Sequence, residues 1–216
     1  SEMCIRDRID SKRRLEIQRH HTGTHLLHWA LRTVLGEHVK QQGSWVGPER
    51  LRFDFSHFAP LTKEEIEQIE DLVNNEVFSG SSVEIVKTTM EDAKEQGALA
   101  FFGDKYGDEV RVLKAGEHSV ELCGGTHVGN LSDIGPLKII SEGSIGSNIR
   151  RIEAVSGLGT IGLIRAHQNL IEEVSIDLGV PSSNLIEGVA KKSREIDELT
   201  NELAALRTSL IMSSLD

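Results

Sequence analysis

Leu51-Arg-Phe-Asp-Phe-Ser-His57 and, shortly after it, Thr62-Lys-Glu-Glu-Ile-Glu-Gln-Ile69 change period from one structure to another within a few residues. In the first stretch Leu51, Phe53 and Phe55 alternate with Arg52, Asp54 and Ser56, the period of two expected of a strand with one buried face. In the second, Thr62 and Glu65 form a capping box. Ile66, Ile69, Leu72, Val73 and Val77 then line one face of the helix it starts, and Gly80 closes that helix. Working outward toward the N-terminus, residues 15–37 read as another helix. Leu15, Ile17, Leu26, Leu27, Ala30, Leu31, Val34 and Leu35 recur mostly at helical spacing, with Gly36 near its end. Toward the C-terminus, short β-like segments at 83–86, 110–113, 120–122, 137–140 and 149–155 are separated by Gly-rich turns. Helices and strands are segregated rather than strictly alternating, which predicts an α+β fold over a doubly wound sheet.

A chain of 216 residues can hold one good-sized domain plus an appendage. Its texture changes after Gly157-Leu-Gly159. Residues 160–178 read as a helix, 181–184 as a break, and Asn184 with Glu187 as the cap of a further helix. There Val189, Ile196, Leu203 and Leu210 fall seven apart, and Leu199 and Leu206 fill alternate positions. Such a heptad seam needs a partner, either another helix of this chain or a second subunit in a homodimer. At the other end, Ser1-Glu-Met-Cys-Ile-Arg-Asp-Arg8 has neither period nor cap and resembles a translated sequencing-adapter remnant, so it is set aside together with Cys4. The expected organisation is a disordered or artefactual flank at 1–11, a domain at 12–157 and a helical segment at 158–216.

Composition excludes several classes. No apolar run approaches the roughly 20 residues needed to cross a bilayer, and no signal-peptide pattern opens the chain. Two cysteines, Cys4 and Cys123, make no disulfide framework, so a reducing, cytoplasmic setting is expected. A formal net charge of −10 argues against a general nucleic-acid binder, because phosphate contacts need Lys and Arg. Local basic clusters remain at Lys12-Arg-Arg14, at Arg150-Arg151 and at Lys191, Lys192 and Arg194.

Nine histidines against one tyrosine turn attention to metal chemistry. His21-Thr-Gly-Thr-His25 lies in the first helix, and residues four apart stack on one face, so both imidazoles can meet one ion. Cys123-Gly-Gly-Thr-His127 follows a strand, and its glycines permit a tight turn that brings a thiolate and a third imidazole together. Three N donors and one S donor suit Zn²⁺. His20 and His28 lie close enough to replace or orient a ligand. Four protein ligands saturate a tetrahedron, the mark of a structural site, so hydrolysis requires one of them to be loosely bound or displaced; otherwise the metal only shapes the pocket. A metalloprotease reading fails because Thr22, not Glu, follows the first histidine.

These stretches together resemble the editing domain of alanyl-tRNA synthetases. The resemblance is carried by His21-Thr-Gly-Thr-His-Leu-Leu-His28, Leu51-Arg-Phe-Asp-Phe-Ser-His57, Phe102-Gly-Asp-Lys-Tyr-Gly-Asp108, Glu121-Leu-Cys-Gly-Gly-Thr-His-Val128 and Ile149-Arg-Arg-Ile-Glu-Ala-Val155, in family order over roughly residues 12–157. It implies a mixed or antiparallel sheet packed with helices, as in the threonyl- and alanyl-tRNA synthetase editing domains and the free-standing alanyl-tRNA editing proteins. It implies one Zn²⁺ held by His21, His25, Cys123 and His127, and hydrolysis of the ester joining serine or glycine to the acceptor end of alanine tRNA. Gln41 matches a pocket glutamine that positions substrate or water, Thr24 is a candidate for reading the serine hydroxyl, and Arg150 and Arg151 are candidates for tRNA contact. Because these two arginines point to opposite faces of a strand, one at most is expected to face the pocket. Residues 160–216 resemble the helical linker that follows the editing domain in the full synthetase. ATP and Mg²⁺ would then belong to an aminoacylation domain expected ahead of residue 12. Two other readings are a free-standing deacylase acting in trans and a non-catalytic, zinc-stabilised binding or dimerisation module.

Overall fold

A computed structural model describes residues 8–99 and 109–213, which leaves Cys4 and the Phe102–Asp108 motif outside it. The described chain divides into two compact units, the first running to Ile161 and the second starting at Gly162.

The first unit opens with α1 (Ser11–Leu35), followed by β1 (Gln41–Val46), β2 (Leu51–Ser56), α2 (Lys63–Ser79), β3 (Val83–Thr89) and the short α3 (Met90–Glu95). Next come β4 (Glu109–Ala115), β5 (Ser119–Leu122), a 3-10 turn at Leu131–Ile134, β6 (Leu137–Gly146) and β7 (Ile149–Ser156). Two sheets result, one in the order β1-β2-β7-β6 and one in the order β3-β4-β5, with every strand pair antiparallel. The fold is α+β, with antiparallel sheets packed against helices.

Two boundaries differ from the sequence expectation for physical reasons. Helix α1 begins at Ser11, because the Asp10 side chain accepts the Arg13 N–H at 3.0 Å. Its first turn is exposed, so hydrophobic period could not register it. Strand β1 is not among the segments expected from the sequence. It is an edge strand with no apolar alternation, it bulges between Gln41 and Gly43, and its pairing with β2 defines it. The capping box at Thr62 and Glu65 and the left-handed Gly80 are both present, as expected.

Helix α1 packs Leu26, Leu27, Ala30 and Leu31 against Phe53 and Phe55 of β2 and Ile152 and Ala154 of β7, with Ile69, Val73 and Val77 of α2 completing the core. Phe53 and Phe55 are fully buried, and truncating a buried Phe to Ala typically costs about 3–5 kcal/mol. A second, smaller core of Ala93, Val110, Val112 and Leu122 lies under the three-stranded sheet. Because α1 also contacts β4 and β5, one helix touches both sheets and carries residues between them.

In the second unit, α4 (Leu158–Leu178), whose first turn belongs to the first unit, leads through a 3-10 turn at Ser182–Asn184 into α5 (Leu185–Ser213). Gly179, at φ 65°, closes α4. Asn184 does not cap α5 as the sequence suggested; its Oδ1 takes the Ser183 hydroxyl at 2.8 Å. The six seam residues of α5 are 49–72% exposed. Among the described residues no helix is long and apolar enough to cross a membrane.

Candidate metal centre

The centre is assembled from one helix and one turn. On α1, His21 and His25 stand one turn apart, and Gly23 between them lets the helix close on the core. A Cβ there would come within 3.1 Å of Leu137 Cδ1. Beyond β5 the Cys123 N–H donates to the Arg111 carbonyl at 3.0 Å, and the chain turns through Gly124, Gly125 and Thr126 to His127. The two glycines are not equivalent. A Cβ on Gly125 would run into the His21 ring, whereas one on Gly124 would meet open space. The Arg111 guanidinium holds the turn by donating to the Gly125 carbonyl.

One ligand atom from each of His21, His25, Cys123 and His127 lies within 4.8 Å of the other three. Cys123 Sγ is 3.5 Å from His21 Nε2 and 3.3 Å from His127 Nε2. A tetrahedron built on Zn–N and Zn–S bonds has edges of roughly 3.3–3.6 Å, so these separations suit one central ion.

The atoms behind the rings fix which nitrogen faces inward. His21 Nδ1 lies 3.2 Å from the Thr126 carbonyl, and His25 Nδ1 lies 2.5 Å from Glu121 Oε2, both acceptors. His127 Nδ1 lies 3.2 Å from the Thr22 hydroxyl, which already donates to the Gln18 carbonyl and accepts the Val128 N–H. That hydroxyl has one proton to give, so His127 Nδ1 must be the donor to it. All three Nδ1 atoms therefore carry a proton, and all three Nε2 atoms are turned toward the thiol. His25 Nε2 is fully buried and makes no hydrogen bond, the position of a nitrogen waiting for a cation.

Charge follows the same arrangement. Burial pushes the Cys123 thiol up, but the imidazoles of His127, His21 and His25 gathered around it outweigh burial and hold the group at about 3, as a thiolate. Burial lowers His25, yet the Glu121 carboxylate and Cys123 raise it above its ordinary value. Burial likewise raises Glu121, and the charge and hydrogen bonds of His25 and His28 bring it below the usual carboxylate range. The donor set is thus three imidazoles and a thiolate with a carboxylate behind it, which fits Zn²⁺.

Glu121, Thr22 and the Thr126 carbonyl were missed as functional groups from sequence. Glu121 carried no local signal: alternation puts Val120 and Leu122 on the apolar face of β5, yet Ser119 and Glu121 are buried, an expensive place for a carboxylate without partners. Its other oxygen, Oε1, lies 2.8 Å from His28 Nδ1, so His28 stands behind the group that orients His25. His20 faces elsewhere. Its Nε2 accepts the Ser156 N–H at 3.2 Å, leaving Nδ1 to donate to the Gly47 carbonyl at 2.8 Å.

The remaining expected residues lie outside this group of four. Gln41 opens β1 opposite Phe55 and donates to Ser44 Oγ at 3.1 Å. Thr24 is buried beside His25, and its hydroxyl donates to the His20 carbonyl at 2.8 Å. Arg150 makes two bonds to Glu142, at 2.5 and 2.7 Å, and Arg151 two to Asp54, at 2.7 and 2.8 Å. Both guanidinium forks thus end on carboxylates.

Residues 110–153, which run from β4 into β7 and include Cys123 and His127, match the family described as the threonyl and alanyl tRNA synthetase second additional domain. The similarity extends well beyond it. Over 214 residues, 99% of the chain, it is 44% identical to an alanine–tRNA ligase of Acetivibrio thermocellus. It is 43% identical over 212 residues to that of Clostridioides difficile and 48% identical over 202 residues to that of Thermotoga maritima, covering 98% and 94% of the chain. The chain is related throughout to one segment of the alanine–tRNA ligases and spans about a quarter of their length, 24% of the first.

Proposed function

We propose that this segment is the editing part of an alanine–tRNA ligase, hydrolysing the ester that joins wrongly attached serine or glycine to the 3′ end of alanine tRNA. The observation that carries this reading is the convergence of three imidazole Nε2 atoms and the Cys123 thiolate, each ring locked from behind, within a domain type shared with aminoacyl-tRNA synthetases. A pocket built for alanine cannot strongly reject glycine, and rejecting an added hydroxyl is limited to roughly 10²-fold, so a second hydrolytic site has a purpose.

One Zn²⁺ would be held by His21, His25, Cys123 and His127, and when bound it would polarise an ester carbonyl or acidify a water. Glu121, Thr22 and the Thr126 carbonyl would keep the three imidazoles aimed. His25 and His127 are buried while His21 and Cys123 are partly exposed, so substrate would approach from the His21–Cys123 side. Thr24 has lone pairs left to accept a serine hydroxyl, and Gln41 would position substrate or water. Arg150 or Arg151 would meet a tRNA phosphate only by exchanging its carboxylate.

In this reading the editing domain occupies residues 12–157 and a helical linker 158–216, limits close to the helix start at Ser11 and the unit boundary at Ile161. The α5 seam would pair two copies. ATP and Mg²⁺ would serve an aminoacylation domain of the whole ligase, acting in cytoplasmic protein biosynthesis. The second reading, a non-catalytic zinc-stabilised module, is favoured by one feature: four protein ligands already fill a tetrahedron.

Release of serine from seryl-tRNA and of alanine from alanyl-tRNA, both on alanine tRNA, separates the two readings. Rapid serine release, slow alanine release and loss of activity in Cys123→Ala support editing. A folded, zinc-loaded chain that releases neither supports the structural module.

A further inference from the structure

At the end of β2 a second group of rings has no part in the metal centre. His57 and Phe58 stack with centroids 4.7 Å apart, His38 stacks on His57 at 5.1 Å, and His38 and Phe58 lie 5.5 Å apart. His38 Nε2 and His57 Nδ1 share one hydrogen bond of 2.8 Å. The backbone beneath is tied down. His57 N–H donates to the Asn148 carbonyl, the Ser56 hydroxyl to the His38 carbonyl, and Lys40 N–H to Ser56 Oγ. Phe58 is 75% exposed, more than any other large apolar side chain described in the first unit.

An exposed Phe alone needs no explanation. This one packs in a three-ring cluster, its planes inclined by 25–32°, whose rim carries imidazole nitrogens. Two acids act on His57, and both are already engaged: Glu142 grips Arg150, and Glu65 receives the Thr62 N–H in the cap of α2. A ring face edged by hydrogen-bonding nitrogens suits a nucleobase, whereas an apolar protein partner would bury those nitrogens at a cost.

We propose that Phe58, backed by His57 and His38, is a stacking platform for an unpaired base near the 3′ end of the tRNA. The proposal rests on the tRNA reading above and adds a contact to it. Position agrees: His28, Phe53, Phe55, His57 and Phe58 follow one another at ring separations of 5.4, 6.1, 6.4 and 4.7 Å, and His28 shares Glu121 with His25. That succession keeps the platform within reach of a short single-stranded tail whose end lies at the metal centre.

The test is fluorescence anisotropy with the whole zinc-loaded chain and a labelled hairpin copying the acceptor stem of alanine tRNA, either with its unpaired 3′ tail or blunt. Phe58→Ala should weaken binding of the tailed hairpin by roughly 5- to 150-fold, the range expected for one stacked base. Phe58→Trp should retain it, and on the blunt hairpin wild type and Phe58→Ala should bind alike. Equal affinity of wild type and Phe58→Ala for the tailed hairpin would overturn the platform. So would a loss of the same size on the blunt hairpin, or no binding of the tailed hairpin by wild type. Turnover plays no part in this readout, so a chain that binds the tail through Phe58 yet releases no amino acid would refute the hydrolytic reading alone.

Discussion

At the metal centre, His21, His25 and His127 each engage Nδ1 with an acceptor fixed by the fold, which leaves three Nε2 atoms aimed at one thiolate. At the end of β2, His38 and His57 are bonded nitrogen to nitrogen and present ring faces instead. Both groups draw on the same residue type, and both lie beside the core that α1 and β2 share. The difference lies in what stands behind each ring. A buried carboxylate, a carbonyl and a saturated hydroxyl turn imidazoles into ligands, while a neighbouring imidazole turns them into a stack.

Breaking the first arrangement should have the largest consequence. Cys123→Ala removes the only sulfur donor of the group, and its zinc affinity, measured by competition with a chelating dye, should fall by more than the 10–100-fold typical of outer partners. Glu121→Gln should fall within that 10–100-fold range, because it releases His25 and His28 while leaving all four donors in place. A Glu121→Gln protein with wild-type zinc affinity would show that the carboxylate aims nothing.

The glycine turn gives a finer contrast. Gly125→Ala should lower zinc affinity because its methyl and the His21 ring compete for one space. Gly124→Ala should leave affinity unchanged and alter stability by less than about 0.5 kcal/mol in thermal melts.

The smallest effect belongs to the stacked pair. Burial first, and then the charge of His38, lower the His57 pKa below its ordinary 6.5. A base whose folded pKa is depressed binds fewer protons than the unfolded chain, so its contribution weakens as pH falls below 6.5 toward the folded value. NMR titration should place the His57 midpoint below 6.5, and His38→Ala should move it upward.

Much of this was legible in the sequence because it depends on local pattern. The alternation in Leu51–Ser56, the box at Thr62 and Glu65, and the i, i+4 spacing of His21 and His25 each name an element or a pairing without long-range information. The turn through Cys123 and His127 was readable only as a spacing, since nothing local says which helix it will meet. Glu121 and Thr22 act across the fold on His25 and His127, so their roles appear only once β5 and the turn after it are packed on α1. Edge strand β1 was hidden for the opposite reason: its pairing with β2, and no apolar pattern of its own, defines it.

The most direct test of the central claim is X-ray absorption at the zinc edge on the purified whole chain, with metal content measured alongside. One zinc per chain is expected, with three nitrogen neighbours at about 2.0–2.1 Å and one sulfur at about 2.3 Å, the sulfur vanishing in Cys123→Ala. A folded chain that stays metal-free in excess zinc, or a zinc shell without sulfur, would contradict the account.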